Sequence, residues 1–523
     1  MTRGRWFPPT LIVAAANLIL AVIAFVREVV LAAAVGTTHS ADAFALSLYL
    51  SDVQANTILY NSIVFASIPV FSEYLVNRRD DSMRRTLNST AGAGLLLSLV
   101  LLAVNALAAR PLLHLLGADL TDPTRQLAVR MFLLLLPLIP CYVLFGLVCA
   151  YLQACSEFTF PSFGPVVLNV LFLAGMAAAL RRLGPITLAV SYSLGVVGML
   201  VLQTLPLRAR GVRLRPVADP GDPGLRRILA TIAPVILVQV LSQPGYVVER
   251  MLAGGFGEGG ISSLSYGMRV SQIPVWVIVA AIGTVAFPAL SRSVHMNSPD
   301  TLSRVFERCA TLAMAVTLPS GAVFWVFARH VVGVLFVRGA FGQQSLELTS
   351  QVLKGSALVP MSYGLVYLLL RVCYATGDTR TAVLSTLIGS AATVITDLLL
   401  TPRIGIIALG IGTSIGFGVS AVLTAVRLRR KWLHGLWWRL VKAALHILGC
   451  CVIMLSAMLI IKGCLPVHVE GSSDIHTLVC TGVLFLGGFA AYLAAFLVPT
   501  PEKASWVLVV EASRGIDRSV SKE

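Results

Sequence analysis

The chain has 523 residues, of which 57% are hydrophobic and only 12% are charged. A soluble multidomain protein would carry about twice that charged fraction, so the composition excludes one and predicts an all-α polytopic membrane protein. The formal net charge of +16 does not indicate a nucleic-acid partner, because the basic residues gather in short segments between apolar runs, where they set membrane topology.

Apolar runs of about 20 residues predict 14 transmembrane helices. They are centred near residues 22, 56, 99, 141, 171, 196, 240, 278, 319, 363, 391, 415, 451 and 488. The first, second, seventh and eighth are interrupted by charge, proline or glycine. Arg3 and Arg5 precede the first run, as in a signal peptide, but Pro8 and Pro9 interrupt its start. We therefore expect an uncleaved first span.

An even number of spans places both termini on one side of the membrane. Basic residues mark the segments on that side, so we expect both termini to be cytoplasmic. These residues are Arg78, Arg79, Arg84, Arg85, Arg208, Arg210, Arg213, Arg215, Arg226, Arg227, Arg427, Arg429, Arg430, Lys431, Arg439, Lys442, Lys503, Arg514, Arg518 and Lys522.

Two stretches of the chain repeat one pattern of landmarks. Gly36 corresponds to Gly257 and Pro69 to Pro288, at an offset of roughly 220 residues. Each copy holds six helices, and since six is even the copies are parallel and a cleft should open between them. We predict an N-terminal lobe at 1–207, a basic linker at 208–227, a C-terminal lobe at 228–426, and a second basic linker, two further helices and a tail at 427–523.

Several charged residues fall in or beside the interrupted spans. Arg27, Glu249, Arg250 and Arg269 lie at depths where a lipid-facing charge would cost several kcal/mol, so they need a wet or paired environment. Arg27 could simply pair with neighbouring Glu28 or snorkel to an interface, but consecutive helix residues point about 100° apart, so such a pair does not form easily on one face of the helix. Glu249 and Arg250 are expected to pair with the first helix across the cleft, as a latch between the lobes or as substrate contacts.

Five segments, in this order, resemble the MurJ/MviN-type lipid II flippases of the multidrug/oligosaccharidyl-lipid/polysaccharide exporter superfamily. They are FVREV with ADAF, YLQACSEFTFPSFGPVVLN, LSYGMRVSQIPVWVIVAAIGTVAFPALSR, LFVRGAF and CYATGDTRTAV. The resemblance implies two six-helix lobes around a central cavity, alternating access, and a bacterial inner-membrane location. It also implies that a groove of the two extra C-terminal helices holds a lipid tail.

The chain departs from the family pattern at several cavity positions. The family usually has one arginine at the first of these, paired arginines at the next two, a carboxylate at the fourth and an acidic residue at the fifth. The positions are Ala21, Ala55, Asn56, Tyr60 and Met268. The cationic character of the cavity is therefore expected to be reduced.

The resemblance makes Arg27 and Arg269 the main candidates for binding the pyrophosphate of a polyprenyl-diphosphate saccharide, since guanidinium groups bind such oxygens in a bidentate way. Asp42 matches the acid of the family's ADAF segment, although an acid there also suits a helix N-terminus. Glu249 and Arg250 complete the substrate-binding candidates. The pattern of histidines, cysteines and carboxylates indicates no catalytic group, metal site or cofactor.

Lipid II is thus the expected substrate, with membrane lipids around a monomer and cell-wall synthesis enzymes as further partners. Three alternatives stay open: a flippase for another polyprenyl-linked polysaccharide, a cation-coupled drug exporter of the same superfamily, and a scaffold that transports nothing. A drug exporter would favour buried carboxylates, whereas the expected cavity charges are led by arginine.

The topology gives a first testable prediction. In a background without the native cysteines, Gly211→Cys in the basic linker should be protected from impermeant thiol reagents in intact cells, and Gly257→Cys should be labelled, because basic segments stay inside. The reverse pattern would require the termini and the direction of transport to be reassigned.

Overall fold

The structure, a computed structural model, describes residues 9–117, 120–217, 219–429, 432–433, 436–464 and 475–497. It confirms the all-α membrane class, because 14 helical spans in these residues are long and apolar enough to cross a membrane. Large apolar side chains such as Leu107 and Val285 lie exposed on the outside, as a lipid-facing surface requires. Outside the described residues lie Arg3, Arg5, Arg430, Lys431, Lys503, Arg514, Arg518 and Lys522.

The first six spans contain eight α-helices. The second span is continuous through α2, a π-helical segment at Val53–Tyr60, and α3, whereas the fourth consists of α5 and α6. The helices are α1 (Pro9–Val35), α2 (His39–Asp52), α3 (Asn61–Val76), α4 (Asp80–Leu116), α5 (Asp122–Leu135), α6 (Leu138–Ala154), α7 (Thr159–Leu183) and α8 (Ile186–Ala209).

The next six spans repeat this plan. They are α9 (Pro223–Leu241), α10 (Pro244–Gly254), α11 (Gly260–Pro274), a π-helical segment at Val275–Val279, α12 (Ala280–His295), α13 (Pro299–Phe336), α14 (Gln343–Gly355), a short 3₁₀ helix at Ser356–Leu358, α15 (Val359–Thr376), α16 (Thr379–Ile404) and α17 (Ile407–Arg429). Helix starts at residues 39, 80, 122, 159 and 186 recur at 260, 299, 343, 379 and 407. The constant offset, about 220 residues, is that of a duplicated unit.

The seventh span is broken at Ser242 and Gln243. Pro244 follows in the first turn of α10, where its missing N–H is tolerated but where it cannot continue the preceding helix. The two halves have different main neighbours: α9 packs mostly on α3 and α4, whereas α10 packs mostly on α16 and α11. The repeat assigns the whole span to the second lobe, but the structure shows that α9 lies against the first.

Ion pairs attach the start of α9 and the linker before it to the first lobe. They lie at the linker end, which we define as the helix ends nearest residues 208–222. Arg227 makes a bidentate pair with Glu73 at 2.6 and 3.0 Å, and Arg85 contacts Asp219 at 2.6 Å. The hydrogen bonds from Arg85 lower the pKa of the Asp219 carboxyl. Asp222 caps α9 by accepting from Leu225 N–H at 2.7 Å, so the linker is fixed where the helix begins.

The chain divides into two compact units, Met1–Leu436 and Trp437–Glu523. The second contains α18 (Leu436–Cys464), apart from its first residue, and α19 (Ile475–Leu497). These two helices approach closely at Gly488. A Cβ atom added there would lie 2.3 Å from Met458 Cγ. The predicted lipid-tail groove on these helices stays a prediction.

Candidate substrate-binding cavity

A cavity of about 400 Å³ lies between the two lobes, in the size range of pockets that hold small organic groups. Its wall is built by α1, α2, α7 and α8 from the first lobe and by α10, α11, α15 and α17 from the second. The charged residues that line it are Arg27, Glu28, Asp52, Glu249, Arg250 and Arg269. Three arginines and three carboxylates balance in formal charge, so the arginine-led cavity expected from the sequence is not what the structure shows.

Arg27 and Arg269 converge on one carboxylate. Arg27 Nη2 lies 2.6 Å from Glu28 Oε1, and Arg269 Nε lies 3.6 Å from the same oxygen. Arg27 and Glu28 are buried, whereas 59% of the Arg269 side chain is exposed. Two guanidinium groups from opposite lobes therefore meet at a single anionic oxygen.

The expectation that an Arg27–Glu28 pair would not form easily is wrong. Their Cα–Cβ bonds point in different directions around α1, as consecutive helix positions must. Both side chains, however, are long enough to turn toward each other above the helix surface, and they meet at 2.6 Å. Burial favours this contact, because an unpaired charge there would have a large desolvation cost.

Glu249 and Arg250 also line the cavity, but their partners are not on α1. The guanidinium carbon of Arg250 lies 3.6 Å from the ring centre of Tyr49 on α2, a cation–π contact between the lobes. Glu249 accepts a hydrogen bond from Thr413 on α17, within its own lobe. The expected pairing with the first helix is thus corrected: Arg250 reaches the second span, and Glu249 stays in the second lobe.

Asp42 lies apart from the other four candidates, at the turn end, which we define as the helix ends around residues 33–42, 255–262 and 337–345. Its carboxylate accepts hydrogen bonds from Gly259 N–H at 2.6 Å and Ser262 N–H at 2.7 Å. These N–H groups belong to the start of α11, where a helix has unsatisfied donors. Asp42 therefore caps a helix of the opposite lobe.

Further contacts close the turn end between the lobes. Ala340 N–H donates to Ala33 O at 2.9 Å, and the hydroxyl oxygens of Thr37 and Ser345 lie 2.6 Å apart. The backbone N–H of His39 donates to Glu258 at 2.9 Å and lowers the pKa of that carboxyl. The two lobes are therefore held together at this end by polar contacts over a short stretch.

Sequence reasoning missed two acidic residues. Asp52 lies in the cavity wall and interacts electrostatically with Arg269 and Arg27. Asp397 on α16 is fully buried, and in the described part of the chain neither of its carboxylate oxygens has a hydrogen-bond partner. Both are charges inside apolar spans, which is the signal that would have singled them out.

Residues 31–473 match the family model described as lipid II flippase MurJ. The chain belongs to the MurJ family. It is 24% identical to the probable lipid II flippase MurJ of Rhizobium tropici, with 91% of each chain covered. It is 25% identical to the corresponding Vibrio cholerae protein, with 93% and 95% covered.

Solved structures show the same fold. A lipid II flippase MurJ in an inward closed conformation superposes with a TM-score of 0.78 at 18% identity, covering 96% of this chain and 100% of that one. An inward-facing multidrug resistance MATE family transporter gives 0.64 at 15% identity, covering 85% and 96%. The MurJ family architecture is thus shared with a wider group of transporters.

The turn-end closure gives a prediction. A Cβ atom at Gly339 would lie 2.2 Å from Ala33 O, and Gly339 has φ +60°, so Gly339→Ala should keep the lobes apart there. In a background without native cysteines, Thr37→Cys with Ser345→Cys should form a disulfide readily, and adding Gly339→Ala should slow its formation at least several-fold.

The matched control is Gly257→Ala. Gly257 also has a positive φ of +77°, but nothing lies within 4 Å of its Cβ position. Backbone strain is therefore similar while the contact across the lobes is absent, and cross-linking should remain near the level of the parent pair. Equal cross-linking with Gly339→Ala and Gly257→Ala would contradict closure by close packing.

Proposed function

We propose that the chain is a flippase that moves a polyprenyl-diphosphate-linked saccharide, lipid II, from the cytoplasmic to the outer leaflet of a bacterial inner membrane. Membership of the MurJ family supports this proposal. So do the fourteen spans in the described part of the chain and the cavity between the two lobes. Binding and conformational change suffice for such transport, because no covalent bond is made or broken.

One observation carries the proposal: Arg27 and Arg269, from opposite lobes, share the Oε1 atom of Glu28. That oxygen marks a position where one anionic oxygen lies near two guanidinium groups at once. A pyrophosphate offers several oxygens of this kind, and arginine binds them strongly and with defined geometry. We propose that the substrate pyrophosphate displaces Glu28 and bridges the two arginines.

The end of the cleft that is closed determines the order of steps in the proposed transport cycle. We place the turn end toward the outside and the linker end toward the cytoplasm, on the basis of the basic residues in the linker segments. The head group then enters from the linker end while its prenyl tail stays in lipid. Rocking of the lobes breaks the Asp42 contacts and opens the turn end. Membrane potential, at about 2.3 kcal/mol per charge per 100 mV, or removal of the product supplies direction.

Glu249, Arg250 and Asp42 complete the proposed set of functional residues. Glu249 and Arg250 line the cavity, so they are placed to contact the head group. Asp42 instead holds the lobes together at the turn end and releases them when that end opens. We propose that the protein works as a monomer among membrane lipids and that cell-wall synthesis enzymes use its product.

A cation-coupled drug exporter is the second candidate. The three carboxylates in the cavity wall favour it, since Glu28 and Glu249 are buried where a cationic compound could pair with them. MATE family transporters also share the fold. Cavity variants that impair lipid export and leave dye efflux unchanged would dismiss this candidate, and the opposite result would favour it.

Depletion of the protein tests the proposed substrate directly. In cells without another flippase, depletion should reduce the lipid II that is accessible at the outer face of the membrane, as measured with an impermeant lipid II-modifying reagent. Unchanged accessibility would reject lipid II as the substrate. It would leave another polyprenyl-linked saccharide, or a scaffold, to be tested.

The two arginines give a sharper prediction. Arg27→Ala or Arg269→Ala should weaken substrate binding by roughly ten-fold or more, because a charge-assisted hydrogen bond contributes about 1.5–3 kcal/mol. Lysine should restore binding only partly, since an ammonium group lacks the planar fork of arginine. The measurement is complementation of a flippase-depleted strain, with the membrane level of each variant quantified.

Arg329→Ala is the matched control. Arg329 forms an ion pair with Glu347 at 3.0 Å and is about half exposed, and neither residue lines the cavity. Loss of that pair should leave complementation intact. Normal growth with both Arg27 and Arg269 replaced by alanine would reject the proposed site.

A further inference from the structure

The cavity face of the eighth span continues beyond Arg269. Gln272 and Trp276 follow at spacings of three and four residues, which places all three on one side of the helix, and all three line the cavity. From Arg269 to Trp276 the helix rises about 10 Å. The row runs away from the turn end and toward the linker end of the cleft.

Trp276 is an exposed residue of a span that also lines the cavity. The residue has 57% of its surface exposed, and it belongs to the π-helical segment Val275–Val279. Segments of this kind alter the direction of side chains and are frequent at functional sites. An indole ring in the wall of a charged cavity is a large flat surface available to a ligand.

The orientation of the ring is fixed by its neighbours. Trp276 Nε1 donates to Gln272 Oε1 at 3.2 Å, and its ring centre lies 6.2 Å from that of Tyr363, which in turn packs on Phe417 at 4.8 Å. Because an indole N–H can only donate, Oε1 of Gln272 is the acceptor. The amide NH₂ group of Gln272 therefore points its donors elsewhere, and in the described part of the chain it has no hydrogen-bond partner.

An aromatic face beside a free amide donor suits a sugar. The C–H face of a pyranose ring packs on an aromatic ring, while its hydroxyl and acetamido oxygens accept hydrogen bonds from an amide. We infer that Gln272 and Trp276 form a saccharide subsite adjoining the pyrophosphate position at Arg269. This inference rests on the proposed function and deepens it. From Gln272 to Trp276 the helix rises about 6 Å, which is comparable to the length of one pyranose ring.

Two probes separate the saccharide subsite from the pyrophosphate position. One is a short-chain prenyl diphosphate that carries a disaccharide of N-acetylated aminosugars, and the other is the same prenyl diphosphate without sugar. Binding of each to the purified full-length protein is measured in detergent. Trp276→Ala should weaken binding of the first probe about ten-fold, because aromatic contact and its buried area are lost, and should leave the second unchanged.

Companion variants make the result specific. Gln272→Ala should also act on the sugar-bearing probe alone, Trp276→Phe should retain part of its binding, and Arg269→Ala should weaken both probes. Trp325→Ala is the matched control, because Trp325 is 52% exposed within another span and does not line the cavity. It should leave both affinities unchanged.

The outcomes distinguish the two proposals. Equal effects of Trp276→Ala on both probes, or no effect on either, would overturn the saccharide subsite. Equal affinity of the unmodified protein for both probes would also overturn it, while the pyrophosphate position would stand. Failure of the unmodified protein to bind either probe would overturn the proposed function and the subsite with it.

Discussion

The closed arrangement of the lobes depends on the hydrogen bonds that Asp42 accepts at the start of α11. Gly259 precedes that helix and has no side chain to cap it, so the first N–H groups need an acceptor from elsewhere. The acceptor comes from the opposite lobe, at 2.6 and 2.7 Å. Hydrogen bonds to a charged group contribute about 1.5–3 kcal/mol each. Separation of the lobes therefore leaves both a helix end and a carboxylate unsatisfied until water reaches them.

The charge balance of the cavity has a related effect. Before any substrate arrives, Glu28 already neutralises Arg27 and lies near Arg269, so the buried guanidinium does not bear the full cost of an isolated charge. An incoming anion exchanges one partner for another instead of meeting a bare positive charge. Net affinity is then smaller than the contacts alone would give, which suits a transporter that must release its cargo on the other side.

Much of this arrangement could be predicted from the sequence, because duplication fixes the order and spacing of the helices. Landmarks such as Gly36 and Gly257 gave an offset that the helix starts then reproduced, and charges within apolar spans located four of the five candidates in the cavity wall. Contacts that depend on side-chain conformation, or on residues far apart in the sequence, could not be predicted from the sequence. The Arg27–Glu28 pair depends on side-chain rotamers, and the role of Asp42 depends on a helix start roughly 220 positions away.

The break in the seventh span has a mechanical consequence. Since α9 packs on the first lobe and α10 on the second, the backbone dihedral angles of Ser242 and Gln243 connect two bodies that must turn against each other. These two residues form a hinge of fixed length. The number of residues in this hinge sets the rotation of α10 about its axis relative to α9. One added residue would rotate α10 by about 100° about its axis and carry Arg250 away from the Tyr49 ring on which it lies.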